Sequence, residues 1–547
     1  MITVLQNNVA EWSLTSAKAY QDPFNDVKLY ARVTDPRGVT RTVPFFWGGG
    51  GLWRIRYASP LTGLHTFVTE CSDSENAVLH GIRGSIEVKP YAGDNPLYKH
   101  GAPRRAQGRF YLEHADDGKP FFWLADTWWM GLTSRLSWPG GFMQIAADRK
   151  AKGFSVAQII AGLYPDMEPF DLRGANEAGF PWDRKFNSVN PAYFDAADLK
   201  IAWLVEQGIV PCIVGCWGFF VPFCGKENIM RHWEYLIARW AAYPVIWCAG
   251  GEANMAFYGD VGAGTVSEEE RVKKSRADWT EISAFIKKQD PFGRLLTIHP
   301  THNGHEQIND ESLLDLDMLQ TGHGSFNTLL PSALQVKKAL DRRSLPVIVA
   351  EACYEGISGT SGPDVQRYLF WSSVLLGCCG HTYGANGIWQ LNSMKEKYGP
   401  SPHGATWGDT PWEEAYQLPG SGQVGLGKKL LEGLPWERFA YRPDWVEQPF
   451  TFNSLEGAFA AGVEGECRVI FMPYLGGFFW GETNILKVEK NRYRAFRFDP
   501  IDGSTTDLGA VDPDEGGIWR SPRVHKFQDW ILVLLKGATQ GDSLVTR

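Results

Sequence analysis

Two apolar runs in this chain end on an acid: Val245-Ile246-Trp247-Cys248-Ala249-Gly250-Gly251-Glu252 and Pro346-Val347-Ile348-Val349-Ala350-Glu351. A short unbroken apolar run reads as a strand buried on both faces, as in a parallel sheet covered by helices. A carboxylate closing such a strand is how a closed parallel barrel presents acids at one rim. Further runs of this kind lie on either side: Phe121 to Ala125, Ser155 to Ala161, Ile209 to Val214, Leu295 to Ile298, Met318 to Gln320 and Gly377 to Thr382. With Val245 to Ala249 and Val347 to Ala350 they make eight, the number a closed (β/α)8 TIM barrel requires.

Between the runs lie helical segments. The clearest is Glu268 to Gln289, with Ser267 as N-cap, acids in its first turn, and Trp279, Ile282, Phe285 and Ile286 along one stripe. The texture differs on both flanks. Residues 1–95 alternate short β-rich runs with turns such as Asp35-Pro36-Arg37-Gly38, and Leu52-Trp53-Arg54-Ile55-Arg56-Tyr57 alternates apolar and basic side chains. That period of two predicts a small β-sandwich. From residue 446 onward short strands return, as in Cys467 to Pro473, Tyr493 to Phe498 and Trp530 to Leu535. The expected α/β architecture is therefore a central barrel over 96–445, between β-sandwiches at 1–95 and 446–547.

Composition narrows the ligand class. The 547 residues carry 54 basic and 62 acidic side chains, net −8, without long single-sign runs, so neither nucleic acid nor an anionic membrane is an expected partner. No run reaches the roughly 18 apolar residues of a membrane span. Nine cysteines, several inside the buried runs, fit a reducing compartment better than a disulfide framework. The amino terminus shows no basic region followed by an apolar stretch, so the expected localisation is cytoplasmic. The 23 Trp, 19 Tyr and 31 Phe supply flat faces for sugars, or simply core. A homo-oligomer is left open.

Two carboxylates at one rim are the minimum equipment for cleaving a glycosidic bond. Glu252 is placed to protonate a leaving oxygen and Glu351 to attack the anomeric carbon, with Glu355 the confusable second acid. Asp126 follows the first strand and either accepts hydrogen bonds from sugar hydroxyls or orders its loop through an ion pair. Trp128, Trp217, Asn254, Tyr354, Tyr383 and Trp389 are candidates to wall a sugar subsite. His299, His302, His323 and His381 are candidates to bond its hydroxyls. The 299, 302, 305 histidine spacing lies in a loop with Pro and Gly and no fixed face, so neither a metal nor another cofactor is expected.

Asp126-Thr127-Trp128, Gly250-Gly251-Glu252, Glu351 with Tyr354-Glu355, His381-Thr382-Tyr383-Gly384, Gly387-Ile388-Trp389-Gln390 and Leu434-Pro435-Trp436 together resemble the apiosidase-like glycoside hydrolases, across nearly the whole barrel. The flanks resemble the β-sandwich that precedes such barrels and the collagen-binding-like β-domain that follows them. The resemblance implies a clan A barrel with the acid/base on strand four and the nucleophile on strand seven, here Glu252 and Glu351. Two departures stand out: many relatives have Gly-Gly-Asp where this chain has Gly-Gly-Glu, and the Asn that precedes the acid in many clan A enzymes is replaced by Gly251. The expected activity is retaining, exo-acting release of a terminal pentose or furanose from a small glycoside. The alternatives are a β-glucosidase or β-galactosidase type of pyranoside hydrolase, and a non-catalytic carbohydrate-binding protein.

Overall fold

The computed structural model describes residues 1–256, 267–490, 492–539 and 544. Its centre is a sheet of eight parallel strands: β1 (Trp123–Thr127), β2 (Val156–Ile160), β3 (Val210–Val214), β4 (Ile246–Cys248), β5 (Leu296–Thr297), β6 (Asp317–Gln320), β7 (Val347–Glu351) and β8 (Gly380–Tyr383). They pair in the order β5-β4-β3-β2-β1-β8-β7-β6. The seam between β5 and β6 carries no strand ladder and is stitched instead by Asp315 and Thr297. Asp315 N donates to Leu296 O at 2.8 Å, Leu296 N to Asp315 Oδ2 at 2.7 Å, and Thr297 Oγ1 to Leu316 O at 3.0 Å. The result is the expected (β/α)8 barrel, nearly closed.

The principal helices wrap it: α1 (Gly140–Ala151), α2 (Pro191–Glu206), α3 (Lys226–Trp240), α4 (Glu268–Gln289), α5 (Leu329–Asp341), α6 (Pro363–Leu376) and α7 (Pro419–Glu432). In α4 Ser267 and Glu270 form a capping box, satisfying two backbone N–H groups that the first turn leaves unpaired, and Trp279, Ile282 and Ile286 are buried. Two strands start later than their apolar runs do. Pro120–Phe121 pairs with Leu112–His114 in a small antiparallel sheet, so β1 begins at Trp123. Gly377, at φ 124°, ends α6 before β8 can begin. No helix among the described residues is long and apolar enough to cross a membrane.

Before the barrel, a five-stranded sheet (Ile2–Leu5, Arg83–Lys89, Gly63–Cys71, Leu29–Thr34, Thr40–Pro44) packs on a three-stranded one (Ala10–Thr15, Leu52–Tyr57, Phe46–Trp47) around Ala31, Ile55 and Ile86. The basic residues of Leu52–Tyr57 face the barrel. Arg56 donates to Glu11 and to both oxygens of Asp198 on α2, while Arg239 of α3 pairs with Asp195 and the same Asp198. Behind the barrel, a six-stranded sheet begins at Ala440–Tyr441, ahead of the position expected from sequence, and runs to Trp530–Lys536. One of its faces packs Phe459 and Phe471 on Tyr368 and Trp371 of α6, and the other encloses Trp445, Ile470, Met472, Leu532 and Leu534.

Asp198 is the hinge of the first interface. Burial works to raise its carboxyl, but Arg239 and Arg56 outweigh it and hold it well below the ordinary carboxylate range. Replacing it removes the carboxylate that two enclosed guanidinium groups share and leaves each with a single, more exposed acid, Glu11 or Asp195, so Asp198→Ala is expected to cost about 3 kcal/mol, read as a lowered Tm by calorimetry. Asp341→Ala, which breaks only the exposed Lys337–Asp341 pair, is the control and costs under about 1 kcal/mol.

Candidate active site

The backbone that leads out of β4 keeps pairing after the strand ends. Ala249 N donates to Thr297 O at 2.8 Å and Gly251 N to Cys216 O at 2.9 Å, and Trp217 bridges Gly251 in parallel. A Cβ on residue 251 would lie 2.1 Å from the Trp217 ring, closer than atoms can approach. Only glycine fits there, which explains the missing Asn: the indole of Trp217 occupies the space an asparagine side chain needs. Glu252 follows at φ 40°, a left-handed conformation costly for a side chain of this size. Strained backbone is retained where the surroundings over-determine it, and here Gln320 Nε2 donates to Glu252 Oε1 at 2.9 Å. Burial, then the charge of Glu351, pushes the Glu252 carboxyl up to about 7.

Glu351 is the last residue of β7 and is 5% exposed. His323 Nε2 lies 2.8 Å from its Oε1 in a hydrogen bond, and His299 Nε2 lies 3.3 Å from its Oε2, off the line of one. Burial alone would raise this carboxyl, but the two imidazoles prevail and bring it down to about 2. The same bond acts on His323 in reverse. Burial opposes its charge, yet Cys353 and Glu351 beside it raise it to about 10.

Aromatic rings hold these groups in place. His323 stacks on Tyr354 at 4.7 Å and 21°, and Tyr354 on Trp389 at 6.0 Å and 20°. On the other side Trp129 meets His299 edge-on at 5.2 Å and Trp217 at 5.6 Å. Around the acid pair several buried polar atoms have no hydrogen-bond partner in the protein: His299 Nδ1, His323 Nδ1, Gln320 Oε1, Tyr354 Oη, and the indole N–H groups of Trp217 and Trp389. Buried polar atoms are nearly always satisfied. A ring of unsatisfied ones about two carboxylates suits a ligand dense in hydroxyls.

Of the residues proposed from sequence, the structure brings Glu252, Glu351, Trp217, His299, His323, Tyr354 and Trp389 together. Others sit elsewhere. Asp126 is buried, accepting from Arg149 Nε of α1 at 2.6 Å and from the Trp128 indole at 2.7 Å, so its contacts are those of the loop-ordering ion pair. Glu355 accepts from Tyr383 Oη at 2.6 Å and from Gly420 N at 3.1 Å, and Arg149 lies over the Tyr383 ring at 5.6 Å. His381 lies 3.4 Å from Ser373 Oγ and meets the Phe370 ring of α6, and burial lowers it to about 3. These five residues, Asp126, Trp128, Glu355, His381 and Tyr383, face the helical layer rather than the acid pair. The reason is strand parity: side chains alternate between the two faces of a strand. Trp123 Nε1 donates to Thr382 Oγ1, which fixes the opposite parity for Asp126, His381 and Tyr383.

His302 is exposed, and its carbonyl accepts from Gln320 N and Gln335 Nε2. His305 is bonded to Asp317 at 2.7 Å, so His299, His302 and His305 have separate surroundings. Asn254 N donates to Gln307 Oε1 at 3.1 Å, tying it to the following loop. Sequence reading missed Gln320 and Trp129. Both carried a signal: Gln320 pairs in register with Glu351, and Trp129 has the parity opposite to Trp128.

Residues 106–438 match the family model described as the apiosidase-like catalytic domain, and residues 3–72 match a domain of unknown function (DUF5060). No curated protein matches the chain. Among solved structures, a glycoside hydrolase family 5 protein from Bacteroides vulgatus aligns over 82% of this chain and 96% of its own at 22% identity, TM-score 0.67. One described as a glycoside hydrolase aligns over 82% and 100% at 20% identity, TM-score 0.66. A third, also from Bacteroides vulgatus, covers 98% of this chain and all of its own at 17% identity, TM-score 0.69. At these identities the structures share the fold.

The bond from His323 acts beside His299 to hold the Glu351 carboxyl down. In His323→Gln a donor remains but the charge is gone. The Glu351 carboxyl carbon, followed by NMR in selectively labelled protein, is expected to titrate well above 2 and toward the ordinary value of 4.5. An unmoved titration would leave His323 no part in setting that charge.

Proposed function

The chain belongs to the apiosidase-like family of glycoside hydrolase catalytic domains, and from that premise we propose a retaining, exo-acting glycosidase that releases a terminal pentose or furanose. The observation that carries the reading is the split between two strand-end glutamates, one near 7 and one near 2. Two carboxylates with separated protonation are how one site runs acid and nucleophile chemistry at the same pH. Glu252, still protonated near neutrality, gives its proton to the leaving oxygen. Glu351, ionised and clamped by imidazoles, attacks the anomeric carbon to form a glycosyl ester. Glu252, now a carboxylate, then takes a proton from the water that cleaves the ester, and the enzyme returns to its starting state.

Exo action is supported by the loops that meet over the site. Tyr398, in the segment after β8, donates to the carbonyls of Pro165 and Asp166 after β2, each at 3.2 Å, and Arg135 binds Leu391 O and Glu396 O. Joined loops favour a pocket for a chain end over an open groove. A small sugar ring is supported by the crowding of Trp129, Trp217, His299 and Tyr354 around the acids, and by the indole that fills the space above Gly251. The unpaired atoms of His299 and Gln320 then supply the contacts to ring hydroxyls. All nine cysteines are free thiols, which supports a reducing compartment.

The test is a panel of aryl furanosides and pyranosides with proton NMR of the first-formed anomer. Retention and a preference for pentose or furanose glycosides are expected; inversion would remove Glu351 as nucleophile. Glu351→Ala is expected to give no turnover in a folded protein, and Glu252→Gln to lose about 10²–10⁴-fold on substrates with poor leaving groups. In the wild type, kcat/KM falls as pH rises through about 7, because the form lost is the protonated Glu252. An alkaline limb that persists unchanged in Glu252→Gln would assign it to another group.

A further inference from the structure

The loops between the strands of the C-terminal domain gather four aromatic rings, Tyr474, Phe479, Phe527 and Trp480, each 37% to 61% exposed. Successive ring centres lie 5.5, 6.5 and 5.1 Å apart, the first two pairs edge-on at 84° and 70° and Trp480 with Phe527 tilted at 44°, so the rings turn separate faces to solvent. Large exposed apolar groups gathered into one patch mark an interaction site more often than chance does. Rings, unlike aliphatic side chains, offer a flat face to the C–H side of a pyranose while leaving its hydroxyls in water.

Charge narrows the partner. Arg523 lies over the Trp480 ring at 5.6 Å, and it shares a single carboxylate, Glu482, with Arg520, at 2.7 and 3.3 Å. Two guanidinium groups on one carboxylate leave a positive edge beside the rings, in a chain of net charge −8. Arg is also the side chain whose fork matches a carboxylate.

The position of the row relates it to the barrel mouth. Tyr474 N donates to Asp529 Oδ1 at 2.8 Å, and Asp529 Oδ2 accepts from Arg367 at 2.8 Å. Arg367 stands near the start of α6, the helix that leaves the same end of β7 as Glu351, and its neighbour Gln366 donates to Cys353 O at 2.6 Å. The backbone of Tyr474 is thus tied by a short chain of contacts to the loop that follows Glu351.

We propose that Tyr474, Phe479, Phe527 and Trp480, edged by Arg520 and Arg523, form a second carbohydrate-binding surface that takes an acidic polysaccharide. Sugar rings stack on the exposed ring faces, those of Trp480 and Phe527 first, and carboxylates meet the arginines. The surface holds a polymer by its main chain, and its binding does not depend on the roles given to Glu252 and Glu351.

The experiment is affinity electrophoresis of the full chain carrying Glu351→Gln, so that nothing is hydrolysed, through gels containing alginate, dextran or polyglutamate. Alginate has sugar rings and carboxylates, dextran rings alone, polyglutamate carboxylates alone. Retardation is expected by alginate and not by polyglutamate, with a weaker effect of dextran. Adding Trp480→Ala and Phe527→Ala is expected to weaken alginate binding by about tenfold or more, the size of losing two ring contacts. Both side chains are exposed, and an unchanged thermal melt of that variant verifies its fold. Adding Arg523→Ala instead is expected to bring alginate retardation down to that of dextran. With Glu351 intact, Trp480→Ala with Phe527→Ala is expected to leave aryl glycoside hydrolysis unchanged. Equal alginate retardation with and without the two rings would overturn the proposal, as would equal retardation by polyglutamate. So would a change from oligomer to monomer in the ring variant with no alginate effect, which would make the row a contact between copies of the chain. An enzyme inert on every glycoside that still binds alginate through these rings would sink the catalytic reading and leave this one standing.

Discussion

Two buried carboxylates that feel each other's charge cannot both keep a negative charge cheaply, and the surroundings of this pair decide which one does. Glu351 has an imidazole on each oxygen, at 2.8 and 3.3 Å, whereas Glu252 has a neutral amide at 2.9 Å. Each effect reinforces the other. The ionised state of Glu351 is part of what raises Glu252, and a protonated Glu252 removes the repulsion that would otherwise raise Glu351. The histidines therefore act on both ends of the pair while bonding only one.

That asymmetry rests on backbone as much as on side chains. Gly251 must lack a side chain because Trp217 lies against it, and the chain emerges from this close approach at a positive φ on Glu252 itself. A left-handed residue at the end of a strand departs from the alternation the strand would impose, which lets the acid be aimed independently of β4. Gln320, aligned with Glu351 across β6 and β7, then holds the acid by its carboxyl. Trp217 has two tasks here: it excludes a side chain at 251 and forms a wall beside His299.

The barrel was legible in sequence because a strand buried on both faces has no polar residues to confuse the pattern; Val347 to Glu351 and Val210 to Val214 are buried throughout. Chain ends of that pattern pointed to Glu252 and Glu351 for the same reason. The same buried runs hide which face a residue occupies, since neither side is marked by solvent. Asp126, His381 and Tyr383 look like rim residues by position yet face α1 and α6 by parity, where Asp126 meets Arg149, His381 Nδ1 meets Ser373 and Tyr383 meets Glu355. Trp129 and Gln320 escaped notice from the opposite cause: neither has the charge that made its neighbours conspicuous. The start of the C-terminal sheet at Ala440 was equally hidden, because Ala440–Tyr441 is too short to show alternation.

Both β-domains are fixed to the barrel by buried charge at the helices rather than at the strands. Arg56 reaches Asp198 between α2 and α3, and Arg367 of α6 reaches Asp529. Such pairs contribute little net stability over apolar contacts, but an unmatched partner is costly, so they penalise any docking that misplaces a domain. In the first interface the penalty falls on Asp198, which two guanidinium groups share. In the second, Asp529 joins α6, whose first turns bond the loop after Glu351 through Gln366 and Cys353, to the segment bearing Tyr474. A domain held in one orientation by a charge it cannot leave unpaired can keep a surface aligned with a distant pocket, which a purely apolar interface, free to slide, does not ensure.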